Sequence, residues 1–523
     1  MSVAPAEGES PTVAPSNASL SNLLDEHPAP PDATIVHAES GTLTLAELRA
    51  AVARVAGALR DAGIGPGHTV GGLVGSGPSG VVVMFAVWSA GAVYIPVNRR
   101  GTPREVAALV TETAVDLLLG APADLDRQDL TGIGMVDLDE AAWDATVRRS
   151  VDGARGAYEG DVAMVLRTSG TTGKPKAVLL RHESTIEALD SSLRKLVRRR
   201  GPRPRQDPGI TRVNLIPLSL ALWGGIFNTL FALRAGFGVV LLERFSPAAF
   251  ADAVRTHGIK STVLPPAMIT SLCDSDIASL EPLGIVRSIT APLSPATARR
   301  FRDRFGVLVL NSYGQTELGG EVVGWTVDDI RRFGDAKLGA AGRPYDDVDV
   351  RILDDDRRDL GPDQSGHIYI RSPFRMRGYA SPGGGATEAI DPDRFVDGFL
   401  ATGDIGRLDG DGFLWIEGRV SDMINRGGFK VIPDEVEEVL RRHPSVREAA
   451  VAGVPDERLG EVPYAWIVPA GDAAVDAAVL SAWCREHLAP YKIPVEFVRT
   501  DRLPRSDVGK LLRRELRGTI TER

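Results

Sequence analysis

Residues 44–63, TLAELRAAVARVAGALRDAG, place leucine, valine and alanine three or four positions apart, the spacing of an amphipathic helix. Thr44 and Glu47 form a capping-box pattern at its start, and Gly63 supplies a stop. A Val/Gly-rich run at 69–74 predicts a strand, 81–90 a helix, and the apolar runs AVYIPV (92–97) and VDLLLG (115–120) buried strands. The pattern repeats further on. GFGVVLLE (236–243), KSTVLPP (260–266) and VLVLNSYG (307–314) read as strands, separated by helical patterns such as SPAAFADAVRTHG and SPATARRFRDRFG. Strands alternating with helices predict βαβ units and a largely parallel sheet, hence an α/β fold.

After about residue 418 the pattern changes to helix, strand, turn, strand and a further helix over 433–490, the size and character of a separate small α+β domain. The expected organisation is a disordered tail over 1–30, a large domain of α/β-layered subdomains over 31–418, and a small, mobile C-terminal domain over 419–523, with 409–424 as the joint.

Composition narrows the function. A chain of 523 residues exceeds one hydrophobic core, and 43% hydrophobic with 25% charged residues is ordinary for a globular protein. A net charge of −9 argues against a nucleic-acid partner. Cys273 and Cys484 are far apart and outside any metal-binding spacing, which disfavours a disulfide or cysteine-zinc scaffold. No apolar run reaches the ~18 residues of a membrane span. The Pro/Ala/Ser-rich N-terminus lacks the basic and apolar regions of a signal peptide, so a cytoplasmic location is expected. The basic run RKLVRRRGPRPRQ (194–206) reads as a solvated surface loop, with a site for polyphosphate or an acidic partner as the alternative.

The chemistry concentrates in TSGTTGKPKAV, residues 168–178. Strand-like runs flank it on both sides. A Walker loop has four residues between its glycines and enters a helix; here only two residues stand between Gly170 and Gly173, and Pro175 follows Lys174. The composition still suits polyphosphate. Glycines let backbone N–H groups approach anionic oxygens, Ser169, Thr171 and Thr172 add hydroxyl donors, and Lys174 adds charge.

This loop resembles the signature of the adenylate-forming superfamily, and four further motifs follow in the family's order: NSYGQTELGG (311–320), ATGDIGRLDGDGFLWIEGR (401–419), DMINRGGFKVIPDEVEEVL (422–440) and LPRSDVGKLLRREL (503–516). The similarity covers about residues 31–517. It implies a carboxylate attacking the α-phosphorus of ATP to give an acyl-adenylate and pyrophosphate, then a thiol, usually of coenzyme A, displacing AMP.

By resemblance, residues 168–176, including Thr168, Ser169, Gly170, Thr171, Thr172, Gly173 and Lys174, would hold the β- and γ-phosphates. Tyr313 and Gly314 would lie beside the adenine, Thr316 would reach the α-phosphate, and Glu317 would bind Mg²⁺. Asp404 and Arg419 would hold the ribose, and Lys510 would stabilise the adenylation transition state. Gly427 and Gly428 would admit the pantetheine arm after the small domain swings about Ser421, where relatives carry Asp or Lys. Leu220, Trp223, Thr290, Ala291 and Ser312 would surround the acid; many relatives have His or an aromatic at the position of Leu220, and Trp223 would shorten the pocket.

The branch most resembled is the 4-coumarate–CoA ligase or medium-chain acyl-CoA synthetase type. The segment 343–404 lacks the insertion of fatty acyl-AMP ligases, and no carrier domain follows. The expected function is therefore ATP-dependent ligation of a small carboxylic acid to CoA. The alternative is a stand-alone adenylating enzyme passing its product to a carrier protein or an amine, including activation of nitrite for arylamine diazotisation. A non-catalytic nucleotide binder is disfavoured by the presence of Lys510 and Glu317. The family pattern admits a homodimer.

Overall fold

The structure, a computed structural model, describes residues 18–153, 155, 158–168, 176–197, 212–291, 293–376, 378–381, 383–384, 387–388, 394–471, 476–505 and 511–521. Among these residues two large sheets form the body of the protein. One has nine strands. Its middle five, Val162–Thr168, Val93–Asn98, Thr69–Val74, Leu117–Gly120 and Gly134–Asp139, are parallel, and antiparallel strands extend both edges. The other has seven strands, parallel from Leu308–Asn311 through to Thr34–Ala38, with Gly41–Thr44 added antiparallel.

Local sequence explains these elements. The helix Leu45–Asp61 starts in the expected capping box, with Thr44 Oγ1 accepting from Glu47 N–H. Pro78–Ser89 is buried almost all round because it lies between the sheets, which accounts for its lack of a polar face. One apolar cluster runs from Leu48 and Val83 through Ile226 and Leu230 to Val322, joining the two layers.

Three features depart from the sequence-based expectation. First, residues 18–30 are not part of a tail. Leu20, Leu23 and Leu24 are buried, Asn22–Asp25 makes a helical turn, and Leu20 N–H donates to His182 Nδ1 at 3.1 Å. Second, the region 343–419 does not continue the alternation. It is antiparallel, with strands Asp349–Leu353, Gly366–Arg371, Phe399–Leu408 and Leu414–Arg419 paired in that order. Third, the basic run does not begin as a solvated loop. Lys195 lies in the helix His182–Val197, donates to the carbonyls of Arg343 (2.9 Å) and Pro344 (3.2 Å), and sits over the Tyr345 ring. Burial pulls its pKa down to about 8. Residues 198–206 of the run lie outside the described residues.

The C-terminal part is built around Val446–Asp456 and Gly460–Pro469, paired antiparallel, with helices Pro433–Arg441 and Ala477–His487 packed on them. Its apolar residues, including Val436, Leu440, Val451, Ile467 and Leu480, form a cluster separate from those of the large sheets. Among the described residues no helix is long and apolar enough to cross a membrane.

Candidate active site

Asp404 is the centre of the best-defined polar site. It lies on Phe399–Leu408, directly opposite Arg419 on Leu414–Arg419, and is 3% exposed. A carboxylate buried to that degree needs its oxygens satisfied. Arg419 Nε lies 3.0 Å from Oδ1; the Tyr313 hydroxyl and Gln315 Nε2 each donate to Oδ2 at 2.6 Å. Gln315 Nε2 also donates to the Thr402 carbonyl at 3.1 Å, and Thr402 Oγ1 accepts the Asp404 N–H. Burial and the neighbouring carboxylate hold the Tyr313 hydroxyl well above its usual pKa, so it remains a donor. Burial lowers the Arg419 pKa, yet Asp404, with Tyr313, Asp422 and Glu317, carries it above its ordinary value. The resulting node is a fixed anion with a fixed cation beside it.

Tyr313 and Gln315 reach Asp404 because Tyr313–Gln315 is a short strand, so alternate residues share a face. The chain then makes a tight turn, Thr316–Leu318, and returns antiparallel as Gly320–Gly324. Gly314 is dictated by this return: a Cβ there would collide with the Gly320 carbonyl. The turn pins Glu317, whose carbonyl accepts the Met376 N–H at 2.9 Å.

Lys176 and Glu317 converge on Tyr379. The Lys176 ammonium sits 4.6 Å from the centre of the Tyr379 ring. Burial raises the Tyr379 pKa, with the Glu317 charge adding to the rise. Thr168 and Lys176 face each other in the antiparallel pair Val162–Thr168 and Lys176–Arg181, so the loop joins two strands as the sequence predicts. Ser169, Gly170, Thr171, Thr172, Gly173, Lys174 and Lys510 lie outside the described residues, as does the Thr168 side chain.

The expected acid pocket is brought together only in part. Ser312 donates its N–H to the Ser288 carbonyl at 3.0 Å. Two residues beyond Ser288, Thr290 has a φ of 73°, a left-handed conformation uncommon outside glycine, and Ala291 follows it. Gly224 lies against this turn, with its Cβ direction 3.7 Å from Thr290 Cγ2. Trp223 starts the helix Trp223–Arg234 and packs edge-on to Phe227. Its buried Nε1 has no partner among the described residues. Leu220, expected in the pocket wall, is buried, and its Cδ1 would be 2.7 Å from a Cβ at Gly80 in the helix Pro78–Ser89.

At the joint, Ser421 is exposed in the turn Val420–Asp422 and donates to Asp422 Oδ1 at 3.2 Å. Gly427 and Gly428 form a two-residue hairpin between Ile424–Arg426 and Phe429–Val431, with φ of 58° and 91°. Positive φ at both turn positions is what such a hairpin requires and explains the paired glycines.

Residues 25–380 match the AMP-binding enzyme family, and residues 435–510 match the AMP-binding enzyme C-terminal domain. The chain is an AMP-binding enzyme. It is 32% identical to the feruloyl-CoA synthase of an Amycolatopsis species over 93% of its own length and 96% of that protein's. It is 31% identical to the indoleacetate–CoA ligase of Aromatoleum aromaticum, covering 96% and 98%. Its fold is similar to the crystal structure of ATP-bound MatB from Rhodopseudomonas palustris, with a TM-score of 0.82 and 27% identity, covering 97% and 99%.

For an AMP-binding enzyme, three residues of this site were missed in the sequence. Gln315 and Thr402 complete the hydrogen bonding of Asp404, and Tyr379 links Lys176 to Glu317. The alternation of a strand carries the signal for Gln315, because it must face the same way as Tyr313. Among the described residues there is no group of three or more metal-binding side chains. A single carboxylate fits Mg²⁺, which usually takes one or two protein carboxylates together with substrate phosphates and waters.

Proposed function

We propose that this AMP-binding enzyme activates a small carboxylic acid bearing an aromatic ring and transfers its acyl group to coenzyme A. It is an AMP-forming acid–thiol ligase. The acid's carboxylate attacks the α-phosphorus of ATP, pyrophosphate leaves, and the thiol then attacks the acyl carbon and releases AMP. The observation that carries this reading is the Asp404–Arg419–Tyr313 node at 2.6–3.0 Å, in a chain matching AMP-binding enzymes over 25–380.

Each residue has a physical task. Asp404 offers lone pairs to the ribose hydroxyls, and Arg419 holds it in place. The loop 168–176 supplies donors and positive charge for the β- and γ-phosphates. Glu317 would hold Mg²⁺, which when bound offsets phosphate charge. Lys510, a compact cation with freely placed donors, bridges the attacking carboxylate and the α-phosphate oxygens, where charge grows in the transition state. Trp223 and the Thr290–Ala291 turn bound the acid and favour a flat ring. The swing about Ser421 then presents Gly427 and Gly428 to the thiol's path.

The test is pyrophosphate release across benzoic, cinnamic, arylacetic and straight-chain acids, with and without CoA, with mass identification of products. Ring-bearing acids should release pyrophosphate fastest and yield CoA thioesters. Acid-dependent release with no thioester would overturn the assignment of CoA as acceptor.

A further inference from the structure

The candidate lysine, Lys510, falls in a short connection whose two ends are both held. Arg505 and Leu511 pair across it as an antiparallel bridge, and Leu512 N–H donates to the Pro504 carbonyl at 3.0 Å. On the entering side Arg505 Nη2 bonds Glu448 at 2.6 Å. On the leaving side stands Arg513, the first residue of the helix Arg513–Thr521, with 15% of its side chain exposed.

Arg513 binds four groups on three separate parts of the C-terminal unit. Its Nη1 lies 3.0 Å from Asp422, in the turn that contains Ser421. Its Nη2 lies 2.6 Å from Asp434 and 2.7 Å from Glu437, both on the helix Pro433–Arg441. Its Nε donates to the Val451 carbonyl, at 3.1 Å, on the strand Val446–Asp456. Glu437 is 4% exposed and its Oε1 also accepts the Val451 N–H at 2.8 Å.

Stability alone does not account for the largely covered charges of Arg513, Asp422 and Glu437, because apolar packing would hold the helix as well or better. That packing is already present: Leu516 is buried against Trp466, whose Nε1 donates to Thr519 Oγ1 at 3.2 Å. What the guanidinium adds is direction. Its donors lie in one rigid plane, and satisfying three carboxylates and a carbonyl at once leaves the backbone at residue 513 one orientation.

We propose that Arg513 is a positioning residue for the adenylation half-reaction: it fixes the direction in which the Lys510 connection leaves the C-terminal unit. This rests on the reading of Lys510 as the adenylating lysine. Arg513 touches no substrate and acts only through that connection.

The experiment measures two half-reactions in the full chain: acid-dependent pyrophosphate release, and CoA thioester formation from supplied acyl-adenylate. The variants are Arg513→Lys, Arg513→Gln and Lys510→Ala. Arg513→Lys keeps the charge but loses the planar fork. It should lower kcat for pyrophosphate release roughly a hundred-fold, the scale of an ångström misplacement. KM for ATP and thioester formation should stay near wild type. Arg513→Gln should behave alike or worse. A folded Arg513→Lys with wild-type pyrophosphate release, or one losing both half-reactions by the same factor, would overturn the proposal; if Arg513→Gln does not fold, Arg513→Lys decides. Lys510→Ala separates the two claims. If it adenylates normally, the reading of Lys510 fails; if it is inactive while Arg513→Lys is normal, only the role of Arg513 fails.

Discussion

Tyr313 donates its hydroxyl to Asp404 at 2.6 Å, joining the first strand after the large sheet to the antiparallel region that carries the ribose-binding candidates. The bond matters because Asp404 is buried and shares its oxygens among Tyr313, Gln315 and Arg419. Removing the charge from Asp404 weakens every one of these contacts, whereas removing the Tyr313 hydroxyl weakens one. Asp404→Asn should therefore raise the KM for ATP about ten- to a hundred-fold, matching the ~1.5–3 kcal/mol of a hydrogen bond to a charged group. Tyr313→Phe, which keeps the ring, should change it much less. Initial-rate kinetics at fixed saturating acid measure both, and equal effects would show that Asp404 does not contact the nucleotide.

Glu317 is held by its backbone in a tight turn beside Tyr379 and within electrostatic reach of Arg419. Glu317→Gln keeps the size and removes the charge. The Mg²⁺ concentration giving half-maximal pyrophosphate release should rise about ten-fold or more. An unchanged Mg²⁺ dependence would remove Glu317 from the metal site.

Gly314 has the Gly320 backbone directly over it, and backbone cannot rotate away as a side chain can. Gly314→Ala should cost roughly 1–3 kcal/mol in stability from overpacking. It should also displace Tyr313 and Glu317, which flank the same turn. Urea denaturation and ATP KM report the two effects separately.

His182 accepts the Leu20 N–H through Nδ1, which requires a neutral ring. Burial lowers its pKa to about 4, against the attraction of Asp161. The unfolded chain binds a proton near pH 6.5 that the folded chain refuses until about pH 4, so stability falls as pH drops through that window. At pH 5 the loss from this one group is about 2 kcal/mol. Urea midpoints at pH 7 and pH 5 should differ less in His182→Gln than in the wild type.

The parallel strands were legible because burial on both faces writes them as short apolar runs bounded by Gly and Pro, as in 92–97 and 115–120. The strands around 349–419 were not, because they are half-exposed and interrupted by charged turns, so neither period dominates. The helical turn Asn22–Asp25 was hidden by its length of four residues, although the three leucines at 20, 23 and 24 carry its helical spacing. Asp404, Arg419, Tyr313 and Glu317 were legible through motif order, and the structure brings them into one region. The packing of Leu220 was not legible, because position in a motif says nothing of which way a side chain turns; here it fills the space above Gly80. Arg513 lies within the motif 503–516, but its contacts could not be read there, since its three carboxylate partners lie 76–91 residues away.

The central claim is that the acid's carboxylate attacks the α-phosphorus of ATP at this site. It is tested most directly with an acid labelled with oxygen-18 in both carboxylate oxygens, turned over with ATP and CoA. One labelled oxygen should appear in AMP, left there when the thiol takes the acyl group, and none in pyrophosphate. Label in pyrophosphate or phosphate, or ADP as the nucleotide product, would contradict the account.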